Sequence, residues 1–252
     1  MITALISRKG GVGKTTTAVN LSAALANQGL RVLLVDLDSQ ASASLSLGID
    51  RSSLAPSSAD VLLGGLPAAQ AVRETAIPGL HLITASVDLI RAESELGVFR
   101  GKEVRLKGAL AEVARGYDYV FLDCPSSLSL LPANALVAAD AFIVPVVPQF
   151  LAVTGLKNLI AAAERIAWDN GTRVRPLGLL LTMVDYRTKS TRRTVDELRA
   201  EHGNLIFAIE IRVNIRLAEA PAAGQTIFQF DRHAKGAEAY KLLAGEFLLR
   251  AR

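Results

Sequence analysis

Short apolar blocks alternate along this chain with longer stretches whose apolar positions recur at three- and four-residue spacing. The blocks are Ile2 to Ile6, Arg31 to Val35, Leu80 to Thr84, Tyr119 to Leu122, Ala141 to Val147 and Leu177 to Met183. Such short continuous runs predict strands buried on both faces. The periodic stretches predict helices: Thr17 to Leu25, Leu89 to Glu95, Lys102 to Ala114, Thr154 to Ile166, Thr191 to His202 and Ala237 to Arg250. Strand and helix in turn give parallel βαβ units, hence an α/β fold with a twisted, mostly parallel sheet flanked by helices on both faces. Residues 41–79 break the rhythm with serine-rich patches, Pro56, Gly64-Gly65 and Pro67. They read as surface loops and small helices, one of them begun or filled by Asp60 to Leu63.

Composition narrows the class. Half of the 252 residues are apolar, enough for one sizeable core, so residues 1–252 are read as a single domain. No apolar run reaches the roughly 18 residues of a membrane span, and Met1 leads straight into the first block without room for a signal peptide. The lone cysteine, Cys124, excludes an internal disulfide framework and a CxxC metal site, which points to the cytoplasm. The formal charge of +4 is uneven: residues 1–164 carry 13 Lys/Arg against 14 Asp/Glu, residues 165–252 carry 15 against 10. A basic face in the last third would suit a polyanion, and a solvated surface would explain it equally.

The candidate chemistry starts between the first strand and the first helix. Lys9-Gly10-Gly11-Val12-Gly13-Lys14-Thr15-Thr16 is a glycine-rich turn ending in Lys-Thr, in the context a phosphate-binding P-loop requires. The glycines permit backbone angles closed to other residues and keep Cβ atoms clear of a polyphosphate. Their N–H groups would form an anion nest at the positive end of the helix. Lys14 would reach the β- and γ-phosphates, and the Thr15 hydroxyl would join the shell of Mg²⁺. Asp36 and Asp38 follow the second strand at the end where parallel sheets bind ligands. Asp123 ends the Tyr119 strand in the form of a Walker B carboxylate, and Pro125 stops further pairing.

Lys-Gly-Gly-Val-Gly-Lys-Thr-Thr, residues 9–16, resembles the deviant Walker A box of the ParA/MinD family, in which a signature lysine precedes the glycines. Ser7-Arg8 stands where that family usually has Asn-Gln or a similar pair, adding a cation near the implied dimer interface. The resemblance reaches to about Lys241 through three further motifs. Asp36-Leu-Asp-Ser-Gln40 is similar to the second box, which implies that Asp38 orients the attacking water and Asp36 helps hold Mg²⁺. Asp123-Cys-Pro-Ser-Ser127 is similar to the switch region, with Ser126 replacing a second proline. Ile211 to Pro221 is similar to a late motif, except that Arg212 replaces a proline and Val213 an arginine.

The family pattern implies an ATP-hydrolysing P-loop fold closest to small ParA/Soj-type partition proteins. Residues 10–16 and Lys9 would bind ATP, with Met183 and Pro221 near its base; Thr15, Asp36 and Asp123 would serve Mg²⁺; Lys9, Lys14 and Asp38 would serve catalysis. Lys9 lies just outside its own turn and would reach the phosphates of a facing subunit, giving an ATP-sandwiching homodimer. Arg187 and Arg216 would centre a face for non-specific DNA, placing the protein on the nucleoid. A ParB-like or cargo-adaptor protein would switch it, with chromosome, plasmid or protein cargo left open. The alternative is a MinD-like protein that positions at membranes, but the last helix carries Glu238 and Glu246 and lacks a lysine-rich amphipathic tail. Iron–sulfur relatives need paired cysteines that this chain does not have.

Overall fold

The apolar blocks pair as strands of one sheet in a computed structural model, which describes residues 1–149 and 155–252. The strands are β1 (Ile2–Leu5), β2 (Val32–Asp36), β3 (Val72–Glu74), β4 (Leu80–Ile83), β5 (Tyr119–Asp123), β6 (Ala141–Val146), β7 (Arg175–Val184) and β8 (Ile211–Arg212). Their order is β3-β4-β2-β5-β1-β6-β7-β8, parallel throughout except at the β3–β4 edge. In β2, Leu33 and Val35 enter the core on one face while Val32 and Leu34 enter the core on the other. Burial on both faces is why these runs show no polar alternation. Helix α1 (Lys14–Ala26) and the helix Lys235–Arg250 cover one face, the latter through Tyr240, Leu243 and Phe247. The helices Asp88–Leu96, Leu130–Ala138, Leu156–Asp169 and Lys189–His202 cover the other.

Two expectations need correction. The helix expected over Lys102 to Ala114 is three short pieces, Lys102–Val104, Arg105–Leu110 and Val113–Gly116. Within residues 41–79 lies an edge strand, β3, besides the small helices. The helix around Asp60 spans Ser58–Leu63 and is closed by a reciprocal cap in which Asp60 Oδ2 accepts from Ser57 N at 2.7 Å. The helix expected from Thr154 is seen from Leu156, and Thr154 itself lies outside the described residues.

Candidate active site

β1 ends one strand-width from both β5 and β6, and the chain turns from Ser7 to Gly13 into α1 at the carboxyl end of the sheet. Gly11 and Gly13 hold φ of 69° and 83°, the left-handed region that disfavours any side chain; Gly10 does not share it. Gly13 is the cap residue, so the first amides of the 13-residue helix have no intrahelical acceptor and face the loop. From the far side Thr182 Oγ1, at the end of β7, donates to the Val12 carbonyl at 2.8 Å. The loop is thereby held from two directions.

Lys14 opens the helix with only 7% of its surface exposed. Its ammonium donates to Ser126 Oγ at 2.5 Å and Ser7 Oγ at 3.2 Å, two of the places where the sequence departs from the family pattern. Two carboxylates end the neighbouring strands, with Asp36 and Asp123 directly opposite in register. Both are fully buried, but their surroundings differ. Asp36 accepts from Ser44 N at 2.9 Å, Ser44 Oγ at 2.7 Å and Asp38 N at 3.1 Å, so both oxygens are engaged in holding the following loop. Burial still raises its pKa to about 6. Neither oxygen of Asp123 makes a hydrogen bond of good geometry among the described residues. Burial and then the Asp36 charge push its pKa up to about 8, while the nearby Thr15 hydroxyl and Lys14 ammonium draw it back. Burial also pushes the Cys124 thiol up, which makes it an inert filler.

A buried carboxylate without partners beside a helix-opening hydroxyl is a donor set that suits a hard divalent cation. The residues present therefore fit Mg²⁺, with Asp123 and Thr15 better placed than Asp36. Asp38, half-buried, accepts from Gln40 N at 3.0 Å and stands at the mouth of the site.

The remaining candidates lie around this centre. Lys9 and Arg8 are exposed, and Lys9 Nζ donates to Gln149 Oε1 at 3.0 Å. Met183 is 44% exposed and adopts φ of 50°, rare for such a side chain, with its methyl within 4.0 Å of where a Cβ on Gly13 would sit. Pro221 is exposed in the turn Ala220–Ala223; that turn ends at Gly224, where a Cβ would lie 2.9 Å from Gly48 Cα. Asn20 of α1 ties in the next segment by accepting from Ile227 N at 2.8 Å. Arg187 and Arg216 are not at the P-loop. They line a separate depression of about 850 Å³ after β7 and β8, together with Arg192 and Arg212. Arg187 pairs with Asp185 and holds its carboxyl down at about 2; Arg216 pairs with Glu219 at 2.9 Å and Asp231 at 3.6 Å. Sequence reasoning gave no site role to Ser7, noted only as a departure from the family pattern, and passed over Ser44, Gln149 and Thr182, whose only signal was an uncharged polar side chain.

Residues 1–174 match the model of a family described as an AAA domain. The chain is 41% identical over 253 residues to the chromosome partitioning protein ParA of Caulobacter vibrioides, covering 100% of this chain and 95% of that one. To the chromosome-partitioning ATPase Soj of Thermus thermophilus it is 44% identical over 247 residues, covering 98% and 95%. Among solved structures, cobyrinic acid a,c-diamide synthase from Mycobacterium smegmatis, with bound ATP analogue and magnesium, superposes with a TM-score of 0.84 at 35% identity. That match covers 98% of this chain and 93% of the other.

Proposed function

Since the chain belongs to the ParA/Soj family of partition ATPases, we propose that it couples ATP binding in the P-loop to self-association, DNA binding and release by a partner protein. It is an ATPase, and its cofactors are ATP and Mg²⁺. The observation that carries the site assignment is the buried Lys14 ammonium beside the partnerless Asp123 carboxylate, at the open end of α1.

In this reading residues 10–16 cradle the phosphates with backbone amides, and Lys14 adds a cation fixed by Ser7 and Ser126. Asp123 and Thr15 would hold Mg²⁺, which supplies charge neutralisation at the phosphates. Asp38 orients the water at the site mouth, and Asp36 keeps the loop that carries Asp38 in place. Met183 and Pro221 border the base. Lys9 reaches the nucleotide of a facing subunit in a homodimer. The arginine-lined depression, with Arg187 and Arg216 on its rim, contacts DNA phosphates without reading bases. A ParB-like or cargo-adaptor protein completes the cycle, and the location is the cytoplasm, on the nucleoid.

No helix among the described residues is long and apolar enough to cross a membrane. The helix Lys235–Arg250 also buries Tyr240, Leu243 and Phe247, so that stripe is not free to act as a membrane anchor. Calorimetric titration tests the nucleotide site. Lys14→Ala should lose charge-assisted bonds of about 1.5–3 kcal/mol each and bind ATP at least about tenfold more weakly. Asp38→Ala should keep ATP affinity and hydrolyse far more slowly. Unchanged affinity in the first variant would remove Lys14 from the site, and unchanged turnover in the second would remove Asp38.

A further inference from the structure

Four arginines line the depression beyond β7 and β8, and the fold treats them in two ways. Arg187 and Arg216 are neutralised locally by Asp185, Glu219 and Asp231. Arg192 and Arg212 make no ion pair among the described residues. Their guanidinium groups lie against Tyr186 instead, 5.7 and 5.2 Å from the ring centroid. Arg192 Nε also donates to the Tyr186 carbonyl at 3.3 Å. The ring is fixed in turn, because its hydroxyl donates to both oxygens of Glu210 at 2.8 Å and Arg199 grips Glu210 at 2.7 Å. Both stacked arginines are exposed, while Tyr186 is half-buried.

We propose that Arg192 and Arg212, positioned by Tyr186, form the principal phosphate-binding pair of this face, and that their ligand is the backbone of duplex DNA. A guanidinium lying on a ring has its weakly hydrated face covered, while edge N–H groups remain to donate to a phosphate fork. Its rotamers are already restricted, so less entropy is lost on binding. An arginine held in an ion pair has part of its fork engaged by a carboxylate, which competes with the phosphate for it. The displaced late motif fits this division, since Arg212 stands where the family has proline and Val213 where it has arginine. The shift by one residue along β8 places the cation beside Tyr186.

This inference rests on the DNA reading above, and the test separates the two. Fluorescence anisotropy with the full chain, ATP and a labelled duplex of random sequence is measured across roughly 50–200 mM salt. Arg192→Ala and Arg212→Ala should each weaken binding by about tenfold and lower the salt slope by about 0.9 for each phosphate left without its arginine. Arg187→Ala and Arg216→Ala should do less. Tyr186→Ala keeps every charge yet should also weaken binding, whereas Tyr186→Phe, which keeps the ring, should stay close to wild type. Thermal melts monitored by circular dichroism verify that each variant is folded.

The inference is overturned if Arg192→Ala and Arg212→Ala bind like wild type while Arg187→Ala and Arg216→Ala fail to hold DNA, an outcome that leaves the DNA reading standing. Should Tyr186→Ala bind normally, Tyr186 has no positioning role. If wild type shows no salt-dependent binding, the DNA reading itself fails. If the two substitutions abolish binding to phosphatidylglycerol vesicles and leave DNA untouched, the face serves lipid and the proposal is wrong.

Discussion

Asp123 is held with its proton well above the range of an ordinary carboxyl, because burial and the opposing Asp36 disfavour its charge. Its folded pKa, about 8, lies above the ordinary value of 3.8, so the folded state binds the proton more tightly than the unfolded chain does. Stability from this group is therefore full below the ordinary carboxyl range and is lost as pH rises toward 8. Asp36, buried opposite it, adds a loss of the same sign. The nucleotide-free protein should melt at lower temperature at about pH 8 than at about pH 5.5, and Asp123→Asn should flatten that difference by stabilising the alkaline end. Circular dichroism melts across that range check it; a variant with the wild-type pH slope would contradict the account. The acids themselves could be read from the sequence, because carboxylates directly after apolar strands have few structural uses. What separates them could not. Ser44 engages one carboxylate while the other makes no good hydrogen bond among the described residues, and that depends on where the short helix Ser42–Ser46, eight residues downstream, folds back.

Elements buried on both faces were legible, and edge elements were not. β5 matches its expected bounds and β6 falls one residue short of them, since continuous apolar runs have one stable environment. β3 and β8 lie at the two ends of the sheet, with two or three residues each and arginine in both, so no pattern announces them. The expected Lys102 helix carries Gly108 inside it, and the chain leaves α-helix at Leu110. β7 runs longer than expected because it passes through Pro176 with a shift of register against β6 between Phe142 and Ile143. Just past that shift, a Cβ on Gly178 would sit 2.5 Å from the Phe207 ring and 2.9 Å from the Leu205 carbonyl. Gly178→Ala should thus cost about 1–3 kcal/mol in denaturant unfolding. A variant as stable as wild type would show that Phe207 can move aside.

The whole molecule joins early and late sequence in one site. In this structure Lys9 rests on Gln149, a hydrogen bond it must exchange to reach a second subunit. Lys9→Ala should bind ATP and remain monomeric by light scattering, with nucleotide binding and association uncoupled. An ATP-dependent dimer of normal affinity would refute the cross-subunit role. The join at Thr182 has a further consequence, for the order in which the protein is made. The phosphate loop is translated ahead of most of the sheet, and the hydroxyl that fastens Val12 follows 170 residues later. At roughly 5–20 residues per second, that interval is on the order of ten to thirty seconds. Throughout much of it β1 lacks its neighbours β5 and β6, and the glycines of the loop have nothing across from them. A nascent chain should thus grip nucleotide only once most of its sheet exists.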